Sequence, residues 1–132
     1  MVNLRELEIR NQSLSITVTA YDLVSRYSGL VSFDDKNQLL DNCFYISSKI
    51  AEAFRSLQNE VSQVALHDCL NRLIDLQEQV SLLLPKDAGA KKLLSNFLRA
   101  IDNLLAELYF LLDTLEELSA EEFSPKLELA CI

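Results

Sequence analysis

Residues 91–118 read KKLLSNFLRAIDNLLAELYFLLDTLEEL. Leu94, Phe97/Leu98, Ile101, Leu104/Leu105, Leu108, Leu111/Leu112, Leu115 and Leu118 recur in it at steps of three and four. That is the period of a helix with one apolar face, held over about three heptads as a bundle seam requires. The same stretch carries more apolar surface than one face needs. Leu108 to Leu112 are five consecutive apolar residues, and at about 100° per residue five cover the whole circumference. Phe110 falls off the inner face, on the side of Asn103, Ala106, Glu107, Thr114 and Glu117, with Tyr109 at the boundary. Tyr109 and Phe110 beside Leu105 and Leu112 form a candidate oligomer interface, since exposed aromatic patches mark protein contacts. The competing reading is a wide core stripe with one stray exposed aromatic.

Three more stripes precede this one. The first is Ile9, Ser13, Ile16, Ala20, Leu23/Val24, Tyr27 and Leu30/Val31. It runs through SITVTA (residues 15–20), which propensity alone assigns to strand, but the three-and-four spacing continues, so helix is predicted. Gly29 and SFDD (32–35) break the chain, and Asp34 or Asp35 is the expected cap of the next helix. The second stripe is Leu39, Cys43, Ile46, Ile50, Ala53/Phe54 and Leu57. The third is Val61, Ala65/Leu66, Cys69/Leu70, Leu73, Leu76, Val80 and Leu83/Leu84. A very short join near residues 57–59, with Asn59 as N-cap, predicts antiparallel neighbours. PKDAG (85–89) breaks the chain before the fourth helix. Four amphipathic helices with short joins predict an all-α, antiparallel up-down four-helix bundle over residues 1–118. Residues 119–132 are read as an acidic C-terminal tail that frays.

Charge narrows the partners. The 132-residue chain has 12 Lys and Arg against 20 Asp and Glu, a net charge of −8. An acidic surface repels a phosphate backbone, which disfavours broad nucleic-acid binding. Two Gly and two Pro leave few turn positions, in keeping with helices. Cys43, Cys69 and Cys131 show no CxxC or Cys/His spacing, so neither zinc nor a disulfide framework is expected. Cys43 and Cys69 sit on apolar stripes and read as small core residues. MVNLRELEIR at the start lacks a signal peptide's apolar core, and no apolar run approaches membrane-spanning length. The expectation is a cytoplasmic protein without a membrane anchor.

ISSKIAEAF (46–54) resembles the signature of the bacterial four-helix-bundle family of 23S rRNA intervening-sequence proteins. That signature is commonly Ile-Pro-Ser-Asn-Ile-Ala-Glu-Gly followed by an aromatic. Ile46, Ser48, Ile50, Ala51, Glu52 and Phe54 match it; Ser47, Lys49 and Ala53 depart from its Pro, Asn and Gly. LHDCLNRLIDLQEQV (66–80) and LRELEI (4–9) are also similar to the family's third helix and start. The resemblance implies a four-helix bundle that assembles into rings, often pentamers. It further implies, through accessory proteins of diversity-generating retroelements, a reverse transcriptase or RNA as partner. The family usually has a basic pair just before the signature, where this chain has Leu40 and Asp41. A basic protein partner, or none beyond itself, is therefore the alternative to RNA.

Other candidates are thin. His67 is the only histidine, and HDCLNRL supplies Cys69 but neither the Lys nor a Gly that a phosphotransfer histidine favours. Phosphotransfer at His67 is kept as an alternative function, and a purely self-assembling bundle as another. Glu52, Asp75 and Glu78 lack the Glu-x-x-His pairs of a di-metal bundle, and Glu52 is expected to make a polar contact between the second and third helices. Lys86, Lys91, Lys92 and Arg99, with Lys49 and Arg55, are the only basic clusters, and the first four, around the third turn and the start of the fourth helix, are the candidate anion or RNA contact. Lys91 and Lys92 stand at a helix start, where positive charge opposes the dipole. No phosphate-binding loop occurs. The sequence therefore reads as a non-enzymatic interaction or scaffold protein with no cofactor, oligomeric through its fourth helix.

Overall fold

The computed structural model describes residues 2–55 and 61–131, with side chains for 4–55 and 61–117. Four helices follow in order: α1 (Val2–Arg26), α2 (Phe33–Ala53), α3 (Gln63–Ser81) and α4 (Ala88–Cys131). α1 packs on α2 and α4, and α3 packs on α2 and α4. The helices thus form a closed square of up-down-up-down neighbours, and the expected all-α bundle is what the chain builds.

All four stripes meet inside. Ile9, Ile16, Leu23, Leu39, Ile46, Ile50, Leu66, Leu73, Leu76, Phe97, Ile101 and Leu104 are fully buried. Burial of such side chains at roughly 1.5–3 kcal/mol each is the main stabilising term. It also explains why SITVTA is helical: Ile16 and Ala20 are core residues, and their burial outweighs the small helix penalty of the β-branched neighbours. Thr17 and Thr19 turn their hydroxyls back onto the carbonyls of Ser13 and Ser15, which satisfies them without leaving the helix. Ser13, the polar member of the first stripe, hydrogen-bonds Ser47 across α1 and α2 at 2.7 Å.

The termini differ from expectation in instructive ways. Ser32, not Asp34 or Asp35, caps α2, its Oγ accepting from the Asp35 amide at 3.2 Å. Asp34 and Asp35 occupy the first turn, where carboxylates favour the dipole. Ser62 caps α3 by accepting from the Ala65 amide; Asn59, the expected cap, lies outside the described residues. The join between α2 and α3 is longer than expected, because α2 stops at Ala53 and α3 starts at Gln63. The Ser62 amide returns to the Ala53 carbonyl at 2.9 Å, which ties the two ends of that connection together. α1 ends at Arg26, and the stripe members Tyr27, Leu30 and Val31 close over the bundle end from the connection. The α4 backbone continues as helix past Leu118 to Cys131, through the segment read as a tail.

Candidate interaction surfaces

On α4, Tyr109 and Phe110 are 49% and 55% exposed. Leu105 and Leu112, stripe members counted with them in the candidate interface, are buried core residues. They lie a turn or less from the aromatic pair but on the inner side of the helix, so the exposed patch is narrower than the sequence suggested. Phe110 is not bare: the Arg5 guanidinium lies 4.2 Å over its ring. Arg5 also approaches the Glu107 carboxylate at 3.7 Å. The start of α1 is thereby fastened to α4 by a cation–π contact with an anchoring acid.

A second polar surface follows the α2–α3 seam. Asn42 is buried, donates to Gln79 Oε1 at 3.3 Å and accepts from Arg72 at 3.1 Å. Gln79 passes its own amide to the Asp35 carbonyl at 3.1 Å. Arg72 stacks 4.1 Å over Tyr45, and Lys49 approaches the same ring at 5.4 Å. Lys49 bonds Glu52 at 3.0 Å and reaches Asp68 of α3 at 3.7 Å. The hydrogen bond to Glu52 holds the Lys49 ammonium above its ordinary pKa. Of the signature residues, Ile46 and Ile50 are core, Ala51 and Phe54 are half-buried, and Ser48 and Glu52 are exposed. Lys49, rather than Glu52, makes the ionic contact between the helices; Glu52 is its partner on the same helix.

This seam borders a groove of about 330 Å³ lined by Gln38, Asn42, Arg72, Asp75 and Glu78 among others. Glu52 lies toward the opposite end of α2 from the groove, so the three candidate carboxylates are not brought together. Among the described residues, no three His, Cys, Asp or Glu side chains gather as metal ligands would. His67 is exposed on α3.

The basic residues divide. Lys86, Lys91 and Lys92 stand at the start of α4, which is the end of the bundle where α2 begins. Lys49 and Arg55 belong to the other end of α2. All of Lys86, Lys91, Lys92 and Arg99 are exposed. Lys92 and Arg99, two turns apart, share a helix side, whereas Lys91 stands about 100° away. The candidate anion contact at the start of α4 therefore stands apart from Lys49 and Arg55.

Two features were missed from sequence. One is a cavity of about 510 Å³ at the bundle end, between Tyr27, Gly29, Leu30, the segment Leu82–Asp87 and Ala90. Nothing in helical periodicity marks it, because connections build it. The other is a second apolar line on α1, whose signal was present in the spacing. Leu4, Leu7, Leu14, Val18 and Tyr21 are all exposed. Among the described residues no helix is long and apolar enough to cross a membrane. Compared with known proteins, the chain matches no family model, no curated protein and no solved structure.

Proposed function

We propose that this chain is a non-enzymatic helical-bundle protein that acts by assembly, with copies of itself and with a partner macromolecule. The observation that carries the reading is the exposed Tyr109–Phe110 pair on α4, outside a core that is complete without it. Two adjacent half-exposed aromatics on a rigid helix are the composition of a protein-contact patch. The resemblance of Ile46–Phe54 to the intervening-sequence signature adds ring assembly, often pentameric, and a reverse transcriptase or RNA as the partner. The net charge of −8 favours a basic protein surface over a nucleic-acid backbone. A reducing, cytoplasmic setting suits Cys43 and Cys69, which are buried free thiols.

The test is solution mass by light scattering for the protein and for Phe110→Glu, followed by pull-down of a reverse transcriptase and by RNA retention across a salt series. An assembly several times the 15.0 kDa chain mass that falls apart in Phe110→Glu supports the α4 interface. RNA retention that weakens steeply with salt would support the nucleic-acid role. A monomer that retains neither partner would overturn the proposal.

A further inference from the structure

α1 carries two apolar lines on opposite sides. Ile9, Ile16 and Leu23, spaced by sevens, face the core and are fully buried. Leu4, Leu7, Asn11, Leu14, Val18, Tyr21 and Ser25 follow the alternating three-four spacing of a coiled-coil seam, and every one of them is exposed. The five apolar members are between 44% and 77% exposed. The exposed edge extends onto α2, where Phe44 meets Tyr21 edge-to-face with centroids 6.1 Å apart.

We propose that this outer face of α1 pairs with the same face of a second copy, α1 beside α1 in parallel register. The inference rests on the self-assembly reading above but puts the contact on a different helix. Three observations select a second copy as the occupant. The first is area. The exposed parts of Leu4, Leu7, Leu14, Val18, Tyr21 and Phe44 amount to roughly 600 Å² per copy, so their complete burial in a pair would reach about 1,200 Å², the lower edge of a specific interface.

The second observation is charge. In a chain of net charge −8, self-contact needs a face without opposed acids. Beside the seam, Glu8 and Asp22 lie along one edge, while Arg10 and Thr17 lie along the other. Parallel pairing sets the acidic edge of each helix against the edge of its partner that carries no acid. Antiparallel pairing sets the two acidic edges, each with Glu8 and Asp22, along one another. On the Phe44 side of α2, Asn37 and Ser48 are exposed and uncharged, and Asp41, one turn before Phe44, is the exposed acid there.

The third observation is Asn11. It is the one polar residue within the apolar run, at the position where a coiled coil uses Asn to fix register and number of strands. In parallel register two Asn11 amides meet and satisfy each other. In antiparallel register each faces Leu14 and is left unpaired, which is costly when buried. The two bundles do not collide, because Ile9, Ile16 and Leu23 hold each bundle on the side of α1 away from the seam.

The test combines mass and cross-linking at about 100 μM, the weak end for an interface of this size. The expected mass of the protein is at least twice the 15.0 kDa chain. Leu14→Glu/Val18→Glu, which alters only exposed positions and keeps its helicity by circular dichroism, should halve that mass. In a Cys131→Ser background, Ser25→Cys should form an intermolecular disulfide on mild oxidation, because Ser25 meets Ser25 only in parallel register. An assembly that Leu14→Glu/Val18→Glu leaves intact overturns the pairing, and one dispersed by Phe110→Glu alone leaves the α4 reading standing without it. Mass halved without the Ser25→Cys cross-link overturns the parallel register. A monomer at this concentration overturns the pairing outright.

Discussion

Arg72 donates to Asn42 across 3.1 Å while its guanidinium lies 4.1 Å over Tyr45. One cation of α3 thus holds two residues on consecutive turns of α2. Asn42 is among the few buried polar residues, and its amide is used from both sides, by Arg72 and by Gln79. Asn42→Ala should lower unfolding stability by about 1–3 kcal/mol, because it strands a cation and an amide that had exchanged water for one another. Urea denaturation reads the change. A second substitution, Arg72→Ala, should cost much less in the Asn42→Ala background than alone.

The buried thiols give the protein an alkaline limit. Burial pushes the pKa of Cys43 and of Cys69 up to about 12. A raised thiol pKa means that the folded state holds its protons more tightly than the unfolded one. The stabilisation is complete below the ordinary thiol range near 9 and is lost as pH rises from there toward 12, by up to about 1.4 kcal/mol per pH unit for each thiol. The urea midpoint of the protein should therefore fall more steeply between pH 8.5 and 10.5 than that of Cys43→Ala/Cys69→Ala. Equal slopes would show that the thiols ionise in place.

Gly89 sits where α4 begins, and a Cβ built on it would stand 2.5 Å from the Tyr27 hydroxyl oxygen. Alanine there gains helix propensity of at most about 1 kcal/mol, yet the Tyr27 ring must shift to admit it. Gly89→Ala should therefore be more favourable in a Tyr27→Phe background, which removes the oxygen in the way. Thermal unfolding of the four-member cycle measures the difference, and additive effects would mean that Tyr27 yields without cost.

The period of the stripes carried most of the fold. Ile16 and Ala20 decided for helix against the β-branched residues around them, and their burial is why that decision holds. Cap identity was less legible. Ser32 and Asp35 both suit an N-cap, and only the backbone geometry at Ser32 chooses between them. The α4 aromatics were found because Phe110 interrupts a polar face. Leu105 and Leu112 belong to the inner stripe, as the period says, and their burial takes them out of the exposed patch. Which basic residues meet depends on helix direction and length, and a bundle length divides Lys49 from Lys91. The outer line of α1 was overlooked for a different reason: Asn11 interrupts it, and Ile9, Ile16 and Leu23 already explained the helix.

The closed square of helices has an entropic corollary. Three of its four seams join helices that follow one another along the chain, so each forms by a local hairpin closure. The α1–α4 seam alone must bring together residues as far apart as Arg5 and Phe110, and closing so long a loop costs the most chain entropy. That seam therefore carries the largest loop-closure cost of the four. Whatever grips α1 from outside holds the one edge of the molecule that is dearest to close.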